Sequence, residues 1–343
     1  MIKKIKNTIL WYYIIRFFIF PIYDFLWKNL INIKARILYF RWFLQNRDFI
    51  DLKKNNGILK VSGYPLLTEI SKNVLMACND KVISLAENEI NTYSNSNYNQ
   101  SNNMENRYMT EIYDFLDFET KKKIIDFASS ELMISTAAKY LGVFPILSKI
   151  IVDYKIPRNY ENKRGAMLFH KDEFGYKSLD LFIAINDIDE NTGPLKAIKT
   201  KFDIIGPLST MVEKNMDIIP GNRGKKKDET INNNKNIDKE ITTIEGKSGT
   251  SIFIDSFKYY HAGGHCKIKK RIVMRILYSS IDAISLPEIS EFKKKILFEE
   301  YLKNKIINDK FKNFFFLYKS KFFISKKLSI WLYNFYRILS FKF

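Results

Sequence analysis

Residues Leu179–Ile198, LDLFIAINDIDENTGPLKAI, contain two extended runs separated by a tight turn. Leu179–Ile188 is apolar and has the composition of a strand, and Asp189–Pro194 combines Asp, Asn, Gly and Pro, which form turns. Leu195–Ile198 is extended again. Since no helix separates the two runs, the pattern argues against a parallel α/β sheet and favours a β-sandwich or jelly roll.

Further elements follow from periodicity on both sides of this stretch. Strands are predicted over Ile150–Ile156, Thr250–Asp255 and Arg271–Ile281. Helices are predicted over 3–47, Thr68–Ile90, Met109–Phe127 and Ser130–Leu141. Gly142, which directly follows the last of these helices, suits a left-handed helix end. The expected fold is therefore a mainly β core with helical additions at both ends, α+β overall.

The chain divides into three parts by composition. Residues 1–55 form a basic, aromatic, amphipathic helical segment, and residues 291–343 form a second one. Between them, residues 56–290 form the β domain, with a helical lead-in over 56–145 and a long polar loop insert over 206–245.

The net charge of +19 lies almost entirely at the two ends. Residues 1–55 carry +8 and residues 291–343 carry +9, which leaves +2 for the middle. Basic residues interleaved with large apolar ones suit an anionic membrane surface, and no nucleic-acid-binding motif accompanies the charge. The sequence is equally compatible with amphipathic helices that pack on the core and expose their lysines.

The ends and the cysteines also bear on location. Residues 9–23 are apolar except for Arg16, which favours a helix lying in the membrane interface, with a single poorly suited membrane span as the alternative. Cys78 and Cys266 are the only cysteines, so no disulfide framework exists. We expect a cytoplasmic protein, peripheral at the inner face of the membrane if its ends bind there.

The three histidines include two at positions suited to a mononuclear metal centre. His170 and Asp172 are one residue apart, so on a strand their side chains point to the same face. His261 lies in a Gly-rich turn after an apolar run. Two imidazoles and one carboxylate leave three coordination positions free, which suits Fe(II), an oxo-acid cosubstrate and O₂. The alternatives are a surface His–Asp pair and a closed zinc site completed by His265 or Cys266.

An oxo-diacid that binds iron through its keto-acid end needs a cation at its far carboxylate. Arg271, ten residues after His261, suits that role because a guanidinium binds carboxylates in a bidentate manner. Arg275 lies on the same strand face and is the weaker alternative. A solvated basic residue is the other interpretation of Arg271.

Three segments resemble the phytanoyl-CoA dioxygenase-like family of Fe(II)/2-oxoglutarate oxygenases: Tyr140–Pro145, Gly165–Thr200 and Glu245–Ser280. The resemblance covers about residues 130–285 and lies in the order of HxD, apolar strand, DxDExxGP-like turn, GT-strand-Asp segment, histidine and arginine. Ile198–Thr200 departs from the Gly-Ser-His stretch usual there. The resemblance implies a double-stranded β-helix fold, a jelly roll of the cupin-like type. It also implies His170, Asp172 and His261 as iron ligands and Arg271 as the 2-oxoglutarate anchor.

The reaction implied is hydroxylation, with succinate and CO₂ as co-products. Related halogenases carry a small residue where this chain has Asp172, and the carboxylate therefore favours hydroxylation. The substrate is expected to be a small molecule or a lipid- or glycan-linked one, and anionic if Lys171, Lys177 and Lys225–Lys227 attract it rather than being solvated. Two other classes stay open: a non-catalytic jelly-roll binding protein and a membrane-peripheral scaffold.

Overall fold

The computed structural model of the protein describes residues 20–43, 48–53, 57–95, 109–157, 167, 169, 172, 177–198, 241–256 and 258–280. The interfacial helix expected over 9–23 falls largely outside the described residues, as do His170, Lys171, most of the 206–245 insert and the whole of 291–343.

Two helices of the N-terminal segment pack against the body of the protein. They are α1 (Phe20–Leu26) and α2 (Ile33–Phe43), and a short π-helical turn over Trp27–Ile31 joins them. Trp27 and Ala35 are fully buried. The Ala35 carbonyl accepts a 2.9 Å hydrogen bond from the amide of Phe144, which follows the last helix of the lead-in. Within the described residues, no helix has the length and apolar content needed to cross a bilayer.

The stretch Thr68–Ile90, predicted as one helix, contains parts of two. They are α3 (Pro65–Ala77) and α4 (Asp80–Asn95). The break follows from Asn79, whose side-chain oxygen accepts a 3.2 Å hydrogen bond from the Val82 amide and so caps the second helix. A capping asparagine starts a new helix because its side chain replaces a backbone acceptor.

The prediction of a helix over Met109–Phe127 was wrong for its first part. Met109–Glu111 forms strand β2, a 3₁₀ turn follows at Tyr113–Phe115, and helix α5 begins only at Phe118 and ends at Ala128. Asp117 fixes that start, since its carboxylate accepts from the amide and the hydroxyl of Thr120, each at 2.8 Å.

The last lead-in helix is confirmed. It is α6 (Glu131–Leu141), and Gly142 ends it in the left-handed conformation with φ +77°.

Nine strands form two antiparallel sheets in the described part of the chain. The large sheet has the order β1-β7-β4-β9-β3-β2 and the small sheet the order β6-β5-β8. Besides β2, the strands are β1 (Ile58–Val61), β3 (Ile146–Lys155), β4 (Ser178–Ala184), β5 (Lys196–Ile198), β6 (Ile241–Thr243), β7 (Ser251–Ile254), β8 (His261–Ala262) and β9 (Arg271–Ser279). The expected combination of antiparallel β-structure with helices is confirmed. Sequence reasoning missed β1, and it missed β6, which forms where the predicted insert ends.

The large sheet buries both of its faces, and it does so against different partners. Its outer face packs on the helices, with Leu67, Ile134 and Met274 in that core. Its inner face packs on the small sheet through residues such as Phe182 and Val273. Because side chains alternate along a strand, β9 sends its even-numbered residues to the helices and its odd-numbered residues inward. The inner face is where polar side chains collect.

Two turns approach each other closely at the end of the small sheet. Gly193 has φ +68°, and a Cβ atom built on it would lie 2.1 Å from the carbonyl oxygen of His265. The segment between β8 and β9 thus rests directly on the turn between β4 and β5, and only glycine permits both the backbone conformation and the contact.

Gly193→Ala should therefore lower the free energy of unfolding by about 3 kcal/mol or more, from backbone strain plus steric conflict. Gly63→Ala is a matched control, because Gly63 has φ +70° but nothing within 4 Å of a built Cβ atom. The control should cost only about 1–2 kcal/mol of backbone strain. Urea unfolding of both variants measures the difference, and equal losses would contradict the contact.

Candidate metal centre

A carboxylate and an imidazole face each other in the space between the sheets. Oδ2 of Asp172 lies 3.6 Å from Nε2 of His261. Each residue is only 3 % exposed. The structure thus brings together two of the three predicted metal ligands, and the third, His170, lies outside the described residues.

The backbone of the small sheet positions His261. It is the first residue of β8 and pairs with Ala197 of β5, and the preceding carbonyl, of Tyr260, accepts a 2.9 Å hydrogen bond from Ile198. Its Nδ1 lies 3.4 Å from the carbonyl oxygen of Tyr259. A proton on Nδ1 directed at that carbonyl leaves the lone pair of Nε2 turned toward Asp172, as metal-binding histidines require.

Asp172 does not lie on a strand, and residues distant in sequence hold it in place. Its amide donates to the carbonyl oxygen of Ser256 at 2.9 Å. Its Oδ2 accepts from Nη2 of Arg275 at 2.5 Å. The position of this carboxylate therefore depends on the turn after β7 and on the central strand β9.

The distance between these two donors fits one edge of a metal coordination sphere. Two donors each about 2.1 Å from one ion, at angles of 90–120°, lie roughly 3.0–3.6 Å apart. The donor types, one imidazole nitrogen and one carboxylate oxygen, also suit Fe(II). Among the residues that the structure describes, no group of three or more His, Cys, Asp or Glu side chains could hold a metal ion. A third ligand would thus come from outside the described residues, as the prediction of His170 requires.

Cys266 is turned away from a closed zinc arrangement. Its Sγ donates to the carbonyl oxygen of Thr192 at 3.1 Å. Burial raises the pKa of the thiol, with Arg271 and Lys155 acting in the opposite direction. A protonated thiol is a poor zinc ligand, since the thiolate is the form that binds metal.

Two buried cations lie side by side on the inner face of the large sheet. Arg271 is 2 % exposed, and its Nη2 donates to the Gly264 carbonyl at 3.2 Å. Lys155 of β3 is its direct partner in the strand register and is 6 % exposed. Burial and, to a smaller extent, the neighbouring Arg271 charge lower the pKa of Lys155 to about 8, and the Asp153 carboxylate acts in the opposite direction. This pair is suited to a dianion.

Lys155 was missed from the sequence, although a signal existed. It closes the predicted strand before Pro157, and antiparallel pairing of that strand with the one that begins at Arg271 would set the two cations opposite each other.

Arg275 is engaged with two carboxylates. Its Nη2 contacts Asp172, and its Nε donates to Oδ1 of Asp180 at 2.6 Å. The guanidinium carbon lies 5.0 Å from the ring centroid of Phe182, which in turn lies 6.3 Å from the His261 ring centroid. The Phe182 ring thus lies near both the arginine and the imidazole.

The sequence allows two interpretations of Lys177, attraction of an anionic substrate or a solvated side chain. In the structure Lys177 forms an ion pair. Its Nζ lies 2.7 Å from Oδ1 of Asp24, so it links α1 to the start of β4. Burial lowers the pKa of Lys177, and the Asp24 carboxylate opposes that effect.

No protein-family model and no curated protein matches the chain in sequence. Among solved structures, it is similar to the α-ketoglutarate-dependent epimerase SnoN from nogalamycin biosynthesis, with 16 % identity, a TM-score of 0.31 and coverage of 50 % of this chain and 60 % of SnoN. It is also similar to EctD from S. alaskensis, with 13 % identity, 68 % and 78 % coverage and a TM-score of 0.40. AviO1 from Streptomyces viridochromogenes Tue57 gives 12 % identity, 73 % and 96 % coverage and a TM-score of 0.36. At these scores the likeness assigns no function to this chain.

Lys155→Met should stabilise the protein at pH 7 by roughly 2–3 kcal/mol, because a buried charge with a strongly lowered pKa disfavours the folded state. The folded state loses the Lys155 proton near pH 8. Wild-type stability should therefore gain about 1 kcal/mol between pH 7 and pH 9 through this group, and the variant should lack that gain.

Urea unfolding of both proteins at the two pH values measures this difference. Lys196→Met, at an exposed position on β5, is the control and should leave the pH dependence of stability like that of wild type. A Lys155→Met protein that is less stable than wild type at pH 7 would contradict the account.

Proposed function

We propose that this chain is an Fe(II)/2-oxoglutarate-dependent oxygenase with a double-stranded β-helix fold, which hydroxylates its substrate and yields succinate and CO₂. One observation carries the proposal: Nε2 of His261 and Oδ2 of Asp172 face each other at 3.6 Å in the interior between two sheets. A neighbouring pair of buried cations, Arg271 and Lys155, supports it.

The strand order supports the jelly-roll form of the fold. From β4 onward the chain alternates between sheets: β4 is in the large sheet, β5 and β6 in the small one, β7 in the large, β8 in the small and β9 in the large. Such alternation encloses an interior between two antiparallel sheets, which is the plan of a jelly roll.

In this proposal His170, Asp172 and His261 hold the iron. Bound iron would supply the activation of O₂, coupled to oxidative decarboxylation of 2-oxoglutarate, chemistry that no side chain provides. Asp172 occupies one coordination position as a carboxylate, which favours hydroxylation. The protein contributes orientation, since β8 fixes the imidazole and Arg275 fixes the carboxylate.

Arg271 and Lys155 are the proposed partners of the cosubstrate's far carboxylate. A buried anion between them would offset both the burial and the Arg271 repulsion that lower the pKa of Lys155. Nε and Nη2 of Arg275 contact Asp180 and Asp172, so Arg271 is the better candidate for the anchor. Lys149, two residues before the Ile151 that pairs with Arg275, adds a positive charge suited to an anionic substrate.

The direct test is iron-dependent formation of succinate from 2-oxoglutarate, measured with the amount of bound Fe(II). His261→Ala, Asp172→Asn and His170→Ala should each lower succinate formation at least about 100-fold and reduce iron binding. His265→Ala distinguishes the two kinds of site: an open three-ligand site should retain both properties, whereas loss of metal binding would favour the closed zinc site completed by His265.

Two outcomes would separate the alternatives. Wild-type protein that binds 2-oxoglutarate and iron but forms no succinate with any substrate tried would favour a non-catalytic jelly-roll binding protein. Protein that binds no iron would leave a buried His–Asp pair and would favour the membrane-peripheral scaffold.

We also propose that α1 and α2 contact the inner face of an anionic membrane, which would bring a lipid- or glycan-linked substrate near the site. Large apolar side chains on these helices and on the π-helical turn that joins them are 48–63 % exposed: Ile22, Phe25, Leu30, Ile37 and Phe40. The sequence around them is basic, with +8 over residues 1–55. An apolar helix surface within a basic segment is complementary to anionic lipid.

Flotation with vesicles containing phosphatidylserine tests this surface. Wild-type protein should float at low salt, and the double variant Phe25→Ser/Phe40→Ser should float several-fold less. The matched control is Met76→Ser/Ile268→Ser, which removes apolar side chains that are 72 % and 70 % exposed elsewhere and should float like wild type. Equal flotation of both variants, or no flotation of wild type, would rule the surface out.

A further inference from the structure

Asp172, Ser256, Asp180 and Arg275 form a closed circuit of hydrogen bonds, in which all but the partly exposed Arg275 are buried. The amide of Asp172 donates to the Ser256 carbonyl at 2.9 Å, and the Ser256 hydroxyl donates to the carboxylate of Asp180. Arg275 closes the circuit, since its Nε donates to Asp180 at 2.6 Å and its Nη2 donates to Asp172 at 2.5 Å. Asp180 and Ser256 are fully buried.

The circuit draws on two central strands of the large sheet, β4 and β9, and on Ser256 in the turn after β7. Asp180 lies on β4, where it pairs with Ile254 of β7 and Leu277 of β9. Arg275 lies on β9, directly opposite Phe182 of β4, whose ring packs under the guanidinium. These are central strands with neighbours on both sides, so the circuit is built on rigid elements.

Burying the charges of this circuit costs free energy of folding, so stability alone is a weak reason for its presence. One guanidinium offsets two carboxylates in an interior where apolar side chains of the same volume would often give equal or greater stability. The circuit does, however, provide direction. Asp172 lies outside any strand, and these contacts oppose rotation of its carboxylate away from His261.

The geometry points to Arg275 as a positioning residue. We propose that Arg275, with Asp180 and Ser256, holds the Asp172 carboxylate turned toward His261, so that Oδ2 presents its second lone pair to a metal ion. A carboxylate oxygen can accept a hydrogen bond and bind a metal at once, and such supporting contacts orient metal ligands. This inference rests on the proposed function of Asp172 and His261 as metal ligands.

The proposal differs from a cosubstrate role for Arg275. The fork formed by Nε and Nη2 is divided between two carboxylates of the protein itself. A bidentate grip on a ligand carboxylate through that edge would require both protein contacts to break.

The experiment measures Co(II) affinity and the Co(II) d–d absorption spectrum of the full-length protein, then 2-oxoglutarate affinity at saturating metal. Arg275→Lys keeps the charge but not the two-pronged geometry. Arg275→Met/Asp180→Asn removes the cation together with one of the two carboxylates that it contacts, so it leaves less uncompensated buried charge than Arg275→Met alone. Arg271→Lys is the matched control on the same strand face.

Both Arg275 variants should bind Co(II) about 10–100-fold more weakly and with an altered spectrum, while 2-oxoglutarate affinity stays within about threefold of wild type. Arg271→Lys should give the reverse pattern. Unchanged Co(II) affinity and spectrum in a less stable protein would overturn the proposal in favour of a structural role. Lost 2-oxoglutarate affinity with unchanged Co(II) binding would overturn it in favour of an anchor role. If wild type shows no Co(II) binding that His261→Ala abolishes, the proposed function itself fails, and the inference fails with it.

Discussion

The structure depends on holding a carboxylate and an imidazole 3.6 Å apart in an interior that excludes most water. Neither group can be left there without support, because burying an ionised carboxylate without a partner is strongly unfavourable. The two sheets divide the task. The small sheet fixes His261 through the backbone of β8, and the large sheet fixes Asp172 through Arg275 of β9. The two sheets together therefore hold the His261 imidazole and the Asp172 carboxylate close to each other.

The buried cations on the inner face of the large sheet lower the free energy of unfolding. Lys155 and Arg271 are adjacent and buried. The lowered pKa of Lys155 means that its positive charge destabilises the folded state. Arg275 is committed to its two carboxylates. Residues that break the local rules of burial without a structural gain are expected at functional sites. Such an interior is suited to binding an anion and poorly explained as a packing core.

Sequence reasoning captured what depends on local chemistry. The turn at Asp189–Pro194, the helix end at Gly142 and the strand beginning at Arg271 follow from the residue types present there, and the structure contains all three. The misses depend on partners distant in sequence. The pattern of Met109–Phe127 fits a helix, but Met109–Glu111 pairs with the edge of β3 as a strand. Nothing local to Arg275 reveals that Asp172, about a hundred residues earlier, accepts its hydrogen bond.

The most direct measurement of the central claim is a crystal structure grown anaerobically with Mn(II) and 2-oxoglutarate, with anomalous data collected at the manganese edge. The account requires an anomalous peak about 2.1–2.2 Å from both His261 Nε2 and Asp172 Oδ2, with the ligand's far carboxylate against Arg271. A map without a peak between those two atoms, or a peak held by Cys266 instead, would contradict it.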